Sequence, residues 1–226
     1  MTQPYILLFD WDGTLINSLE IKISNAASIF HKILGLPQEN VAAAYRRHSG
    51  IPRQQLFAAI CTENNHPPLD TPQYQSLSQR FSELNLTALT SLQTSGLVPE
   101  DTRAVLPVLR DLGYPMYVSS SAISEELHQI ARAHGLEVYF QQILGSAPGF
   151  NKGIEHVEYV RDLQQASLDR ILFIGDEPTD IMLGHQAGVR VIAKTGTYPA
   201  HKLVEYGADH VIASLETLPA LINELV

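Results

Sequence analysis

Asp10 and Asp12 stand one residue apart and run directly into Gly13 and Thr14. At that spacing both carboxylates lean to one side of a strand end, and two close carboxylates repel unless a cation neutralises them. Magnesium is the natural divalent partner for hard oxygen ligands. An aspartate held by such a metal can attack phosphorus as a nucleophile, which leaves the second aspartate placed for proton transfer. The same residue types also form an ordinary Asp-Gly turn after a buried strand, so other motifs along the chain must decide between the two readings.

The two aspartates need a rigid platform. Tyr5 to Phe9 is apolar at every position rather than alternating, the pattern of a central parallel strand covered on both faces by helices. The run is too short for a core helix, and Gly13 supplies the backbone freedom of a tight turn. After Leu15 the pattern turns helical for about eighty residues, with no convincing strand. Ser18 is expected to cap a helix through Ile23, Ala27 and Phe30 that ends near Gly35 and Pro37. Further helices are expected over 39–48, 53–64 and 73–92, divided by turns at 49–52 and 64–68.

From Pro99 the chain alternates helix and strand, the signature of a doubly wound parallel sheet. A helix over 101–112, kinked at Pro107, leads into a strand over 115–118. A helix over 123–134, a strand over 139–144 and a helix over 152–164 follow. Ile171 to Ile174 is a buried strand, then comes a helix up to Gly188, strands over 190–193 and 209–212, and a closing helix over 215–225. The fold class expected is therefore α/β, with a core over 1–16 and 97–226 and an α-helical insertion over 17–96.

Four segments in order carry a family resemblance. Asp10-Trp11-Asp12-Gly13-Thr14-Leu15 resembles the first motif of the haloacid dehalogenase (HAD) superfamily. Ser119, Ser120 and Ser121 follow the expected strand and match the second. Lys152, the only lysine between Ser119 and Asp176, matches the third, and Gly175-Asp176-Glu177-Pro178-Thr179-Asp180 matches the fourth. The chain is similar to phosphoglycolate phosphatase-like members, with a Rossmann-like core and a small α-helical cap inserted between the first and second motifs. Hinges near Asn17 and near 94–99 would let such a cap open and close.

The resemblance implies a magnesium-dependent hydrolase of small phosphomonoesters. Asp10 would be the nucleophile, Asp12 the acid and base, and Ser119 and Lys152 would neutralise the transferring phosphoryl group. Trp11, Gly13, Thr14 and Ser120 fall among the implied phosphate-binding residues, Trp11 through its backbone amide. The implied magnesium shell is the Asp10 carboxylate, the Asp12 carbonyl, Asp176 and waters, with Asp180 holding a metal-bound water or the lysine. Structural readings stand beside these: serines as helix caps, a solvated lysine, and acidic groups favouring a helix N-terminus. Arg46, Arg47, His48 and Arg53 either read a second anionic group, with Arg46 and Arg53 in contact with substrate, or form a solvated basic face. Two positions depart from the family pattern: Asn17, where many relatives carry Asp, and Gly153, where many carry Pro.

Composition narrows the alternatives. A formal net charge of −9 argues against nucleic acid as a partner, and an anionic substrate would need local positive charge at its site. Hydrophobic residues at 45% and charged residues at 17% suit a soluble enzyme, and no apolar run reaches bilayer length. The start Met-Thr-Gln-Pro shows no basic region before an apolar one, so a cytoplasmic protein without a signal peptide is expected. Lone Cys61 fits a reducing compartment as a small buried hydrophobe. The nine histidines show no zinc pairing and are read as structural or surface residues. Monomer and homodimer both stay open. Dehalogenation is disfavoured because that branch lacks the second aspartate, and phosphonate cleavage because that branch has Ala there. A mutase of the β-phosphoglucomutase type and a non-catalytic binding protein are the rival readings.

Overall fold

In a computed structural model of the chain, which describes residues 4–91 and 96–225, the backbone divides into two compact units. One comprises Met1–Asn17 with Gly96–Val226, the other Ser18–Ser95.

The first unit is built on β1 (Ile6–Phe9), whose four residues are all buried. It pairs in parallel on one side with β2 (Met116–Ile123) and on the other with β4 (Ile171–Gly175). With β3 (Gln142–Ser146), β5 (Arg190–Lys194) and β6 (His210–Ile212) the sheet order is β3-β2-β1-β4-β5-β6. Every pairing is parallel, so the expected doubly wound sheet is present. Chain progression reverses at β1, and the crevice at the carboxyl end of such a switch point is where open α/β sheets bind ligands. Around the sheet lie α5 (Glu100–Asp111), α6 (Ser124–Ala133), α7 (Ile154–Gln164), α8 (Pro178–Gln186), α9 (Ala200–Glu205) and α10 (Leu218–Glu224). One part of its core joins Leu8, Tyr117, Val157, Phe173 and Val191.

Several boundaries differ from expectation. β2 does not end at Val118 but runs on to Ile123, because it stays paired with β3 through a register irregularity between Ser119 and Ile123. The serines therefore lie within the strand. A 3-10 turn at Glu137–Tyr139 takes the place of the first residues of the expected third strand, which begins at Gln142. The first residues of the expected closing helix, Leu215–Thr217, form a 3-10 turn, and the α-helix begins at Leu218. Pro107 lies inside α5, which runs on as one element. Helix α9 was not anticipated: six residues with a single buried position, Leu203, give too little periodicity to register.

The second unit is α-helical: α1 (Leu19–Leu34), α2 (Gln38–Arg47), α3 (Arg53–Glu63) and α4 (Thr71–Leu89). Ile23, Ala27, Phe30, Val41, Phe57, Leu77 and Phe81 form its core. Phe57 is the hub, with edge-on ring contacts to Phe30 at 5.0 Å and Phe81 at 5.6 Å. Ser18 occupies the N-cap position of α1 but its hydroxyl makes no capping bond, whereas Asp70 and Gln73 close a reciprocal capping box on α4. Cys61 is buried and unpaired with any other cysteine, and burial pushes its thiol pKa up. The expected helix end at Leu92 and the hinge residues Thr94 and Ser95 lie outside the described residues.

Candidate active site

Asp10 is the first residue after β1, and its amide donates to the Ile174 carbonyl of β4 at 2.7 Å, which anchors the strand end. The chain then winds tightly: the amides of Leu15 and Ile16 both reach the Trp11 carbonyl at 3.0 Å, and the Gly13 amide reaches the Ile16 carbonyl at 2.7 Å. Gly13 adopts φ 88°, a left-handed conformation that side chains rarely tolerate. It also makes room for Asp176, since a Cβ at Gly13 would fall 2.2 Å from Asp176 Oδ2. Gly175 does the same for Asp180, with a Cβ there falling 2.4 Å from its carboxylate. Both glycines of the expected motifs are thus required by the packing of carboxylates.

Three buried carboxylates, Asp10, Asp176 and Asp180, converge with one oxygen of each within 4.8 Å of the others. Lys152 reaches them from the loop before α7, its Nζ 2.5 Å from both Asp10 Oδ1 and Asp180 Oδ1. Asp180 is aimed by the start of α8: its Oδ2 accepts the amides of Asp176 and Glu177 at 3.0 Å, leaving Oδ1 for the lysine. Asp176 accepts the Thr14 hydroxyl on Oδ1 at 2.8 Å and the Thr197 hydroxyl on Oδ2. Thr14 is fixed in turn through its carbonyl, which accepts from Lys194 Nζ at 3.1 Å. Lys194 is buried and paired with Asp101 at 3.1 Å.

The electrostatics follow from burial. Asp10 is pushed well above the usual carboxylate range by burial, opposed by Lys152 and assisted by Asp180, Asp176 and Asp12. Asp176 is raised to about 7 by burial and then by Asp180, opposed by the Thr197 and Thr14 hydroxyls. Burial alone would lower the pKa of Lys152, but Asp10 and Asp180 outweigh it and hold the ammonium charged. When all three carboxylates are ionised, they exceed the charge of Lys152 by two. The oxygen donor set and that excess fit a divalent ion with hard-ligand preference; the residues that would hold it are Asp10, Asp176 and Asp180, with the Asp12 carbonyl as expected from sequence.

The other expected residues fall as follows. Ser119 and Ser120 are buried within β2. They do not cap α6, whose N-cap is Ile123; Ser120 Oγ instead accepts the Ala122 amide at 3.1 Å. Ser119 Oγ lies 2.8 Å from Nδ1 of His156. Trp11 is fully buried, and its indole Nε1 meets no partner among the described residues. The side chain of Asp12 is half-buried and stands outside the three-carboxylate cluster.

The four basic residues singled out from sequence have partners inside the helical unit. Arg46 pairs with Glu20 at 2.7 Å, and Arg47 and His48 both bind Glu63, whose pKa they lower to about 2. Arg53 donates to Ser82 Oγ at 2.7 Å and lies 5.0 Å over the Phe81 ring.

Both departures from the family pattern have a local cause. Gly153 sits at φ 105°, a value closed to proline, whose ring fixes φ near −65°. Asn17 donates from Nδ2 to the Gly96 carbonyl at 2.9 Å, which an aspartate could not do.

Sequence reasoning missed Thr197, Lys194 and His156. Thr197 and Lys194 flank the end of β5, so their position at a strand's carboxyl end was the available signal. His156 had none beyond lying one helical turn after Lys152.

Comparison with known proteins gives the family and the fold. The profile of the family described as Haloacid dehalogenase-like hydrolase matches residues 7–194. A phosphoglycolate phosphatase of Pasteurella multocida is 28% identical over 205 residues, covering 88% of each chain. A solved structure of a predicted phosphoglycolate phosphatase from Haemophilus somnus superposes with TM-score 0.81 at 23% identity, over 98% of this chain and 99% of the other. A β-phosphoglucomutase from Clostridium difficile shares the fold, with TM-score 0.80 at 14% identity over 99% and 97% of the chains. The chain is an enzyme of the haloacid dehalogenase-like hydrolase family.

Proposed function

We propose that this hydrolase is a magnesium-dependent phosphatase that cleaves a small phosphomonoester through an aspartyl-phosphate on Asp10, with phosphoglycolate-like esters as the substrate class. One observation carries the reading: the buried Asp10 carboxylate shares Lys152 with Asp180, 2.5 Å from each, beside Asp176. An aspartate held this rigidly, with its charge offset, suits nucleophilic attack on phosphorus.

Asp10 Oδ attacks phosphorus, and the ester oxygen leaves as Asp12 delivers a proton to it. Asp12, now a carboxylate, takes a proton from water, which attacks the aspartyl-phosphate and releases inorganic phosphate, restoring Asp10. Lys152 holds the Asp10 oxygen and balances charge on the transferring group, and the Ser119 hydroxyl and Ser120 amide bind phosphoryl oxygens. Asp180 keeps the Lys152 ammonium in place. When bound, magnesium supplies positive charge against the phosphoryl oxygens and the Asp10 carboxylate.

The helical insertion is assigned the choice of leaving group, on the family resemblance. A cytoplasmic setting suits the free, buried Cys61, and no helix among the described residues is long and apolar enough to cross a membrane.

The experiment is phosphate release from a panel of phosphomonoesters including phosphoglycolate and sugar phosphates, with magnesium, with chelator, and with Asp10→Asn as control. Magnesium-dependent release that disappears in the variant supports the reading. Accumulation of an isomerised sugar phosphate without release would replace hydrolysis with a mutase reaction. Neither product from any ester would leave a non-catalytic binding protein.

A further inference from the structure

Ser119 Oγ and His156 Nδ1 lie 2.8 Å apart, and both residues are fully buried. The Phe150 ring packs against the imidazole with centroids 4.4 Å apart, so the ring is held from one face. Its other nitrogen, Nε2, is buried and meets no partner among the described residues.

A serine hydroxyl carries one hydrogen, so the tautomer of the imidazole decides where that hydrogen goes. If Nε2 carries the ring proton, Nδ1 is an acceptor, the Ser119 hydrogen is spent on it, and a buried N–H is left orphaned. If Nδ1 carries the proton, it donates to Ser119 Oγ and Nε2 is left as an unpaired acceptor. Orphaned buried N–H groups are the rarer defect, so the second arrangement is preferred. Burial holds the His156 pKa down to about 4, opposed by hydrogen bonding of the ring to the Gly145 carbonyl. The ring is therefore neutral near pH 7 and has a single N–H to place. Nε2 makes no hydrogen bond among the described residues, so the Gly145 acceptor also calls for the proton on Nδ1, which then faces both Gly145 and Ser119.

We propose that His156 is a positioning residue: its Nδ1–H donates to Ser119 Oγ and so keeps the Ser119 hydrogen available to a phosphoryl oxygen. The inference rests on the phosphatase reading for the identity of that oxygen. It assigns His156 no proton transfer and no direct contact with substrate.

Three substitutions separate this from simple packing. His156→Asn retains an amide N–H near the Nδ1 position, His156→Gln moves it to the Nε2 position, and His156→Leu removes it. Leu and Gln are expected to lower kcat/KM by about tenfold or more, chiefly in kcat, while Asn stays within about threefold of wild type. In a Ser119→Ala background, His156→Leu should change kcat/KM by less than about twofold, because nothing remains for it to position. Losses that multiply in the double variant, or rescue by Gln rather than Asn, would overturn the proposal.

Nitrogen-15 shifts of the His156 ring in the folded wild-type protein give a readout that needs no turnover. A protonated Nδ1 and bare Nε2 support the arrangement, and the reverse tautomer overturns it. If wild type releases phosphate from no ester, the phosphatase reading falls by itself, and the tautomer still decides the His156 arrangement.

Discussion

Gly13 and Asp176 approach so closely that a Cβ at Gly13 would lie 2.2 Å from Asp176 Oδ2. The glycine also sits at φ 88°, so alanine there meets two separate penalties. Left-handed backbone costs an L-residue roughly 1–2 kcal/mol, and the methyl forces Asp176 out of its hydrogen bonds with Thr14 and Thr197. Gly13→Ala is expected to lower the unfolding free energy by ~2 kcal/mol or more. A displacement of order 1 Å at the carboxylate is expected to lower kcat by about 100-fold. Chemical denaturation and steady-state kinetics check the two halves.

Lys152 is the ammonium that pairs with both Asp10 and Asp180. Lys152→Met removes the charge while keeping most of the volume, so what remains is buried carboxylates without a counter-ion. Breaking a buried pair from one side costs about 3–5 kcal/mol. The variant is expected to be inactive and destabilised by that order at pH 8. Its deficit should shrink at pH 5, where the raised carboxyls take up protons instead. Urea unfolding at the two pH values tests this; an equal deficit at both would show that the lysine does not neutralise the cluster.

The site was legible where chemistry and sequence are local. Asp10 to Leu15 and Gly175 to Asp180 are contiguous runs at strand ends, so residue type, spacing and flanking apolar runs could all be read together. The sheet was legible for the same reason, since Ile6 to Phe9 and Ile171 to Ile174 are buried at every position. Partners set by distant register were not. Lys194 reaches Thr14 across 180 positions, and Thr197 reaches Asp176 only because β5 pairs beside β4. Ser119 looked like a loop residue because the irregular pairing of β2 with β3 leaves no pattern in either strand alone. Nothing in the sequence sets His156 apart from the other histidines, since burial beside Ser119 depends on where α7 docks.

Asp176 gives metal-free protein a pH dependence with a definite sign. Its folded pKa, about 7, lies above the unfolded value near 3.8, so folded protein binds its proton more tightly. The resulting stability is fully present below the unfolded value and is lost as pH rises through the folded one. Burial of neutral His156, with pKa about 4, acts oppositely and weakens the fold as pH falls from about 6.5 towards 4. In chelator, Asp176→Asn should therefore flatten the fall in Tm between pH 5 and 8 while leaving the acid-side loss in place. Magnesium should raise the wild-type Tm most at pH 8. Differential scanning calorimetry across that range tests both, and an unchanged slope in the variant would remove Asp176 from the account.

Gly153→Pro installs the residue many relatives carry, yet it is expected to harm this protein. Proline fixes φ near −65°, whereas this position needs 105°, so the loop carrying Lys152 must rearrange. Kinetics should show a loss in kcat of about 100-fold. Gly153→Ala is strained at this positive φ as well and presses on the Leu183 side chain, 3.0 Å from the added Cβ, but it does not lock φ near −65° as proline does. It should retain more activity than the proline variant. Equal activities would mean that the backbone conformation at 153 does not hold the lysine.

Asp12 is half-buried and is not one of the three carboxylates of the cluster; the proposed mechanism gives it the proton transfer. Asp12→Asn keeps shape and hydrogen-bonding capacity but cannot deliver a proton, so binding should survive while turnover of an alkyl phosphate falls by about 100- to 10,000-fold. An aryl phosphate with an acidic leaving group needs no protonation to depart. With that substrate the first step should be nearly preserved, but water attack on the aspartyl-phosphate still lacks its base. The variant should then show a burst of one phenol per site followed by a slow phase, measurable by stopped-flow absorbance. Equal losses for both esters, without a burst, would mean that Asp12 positions the substrate and moves no proton.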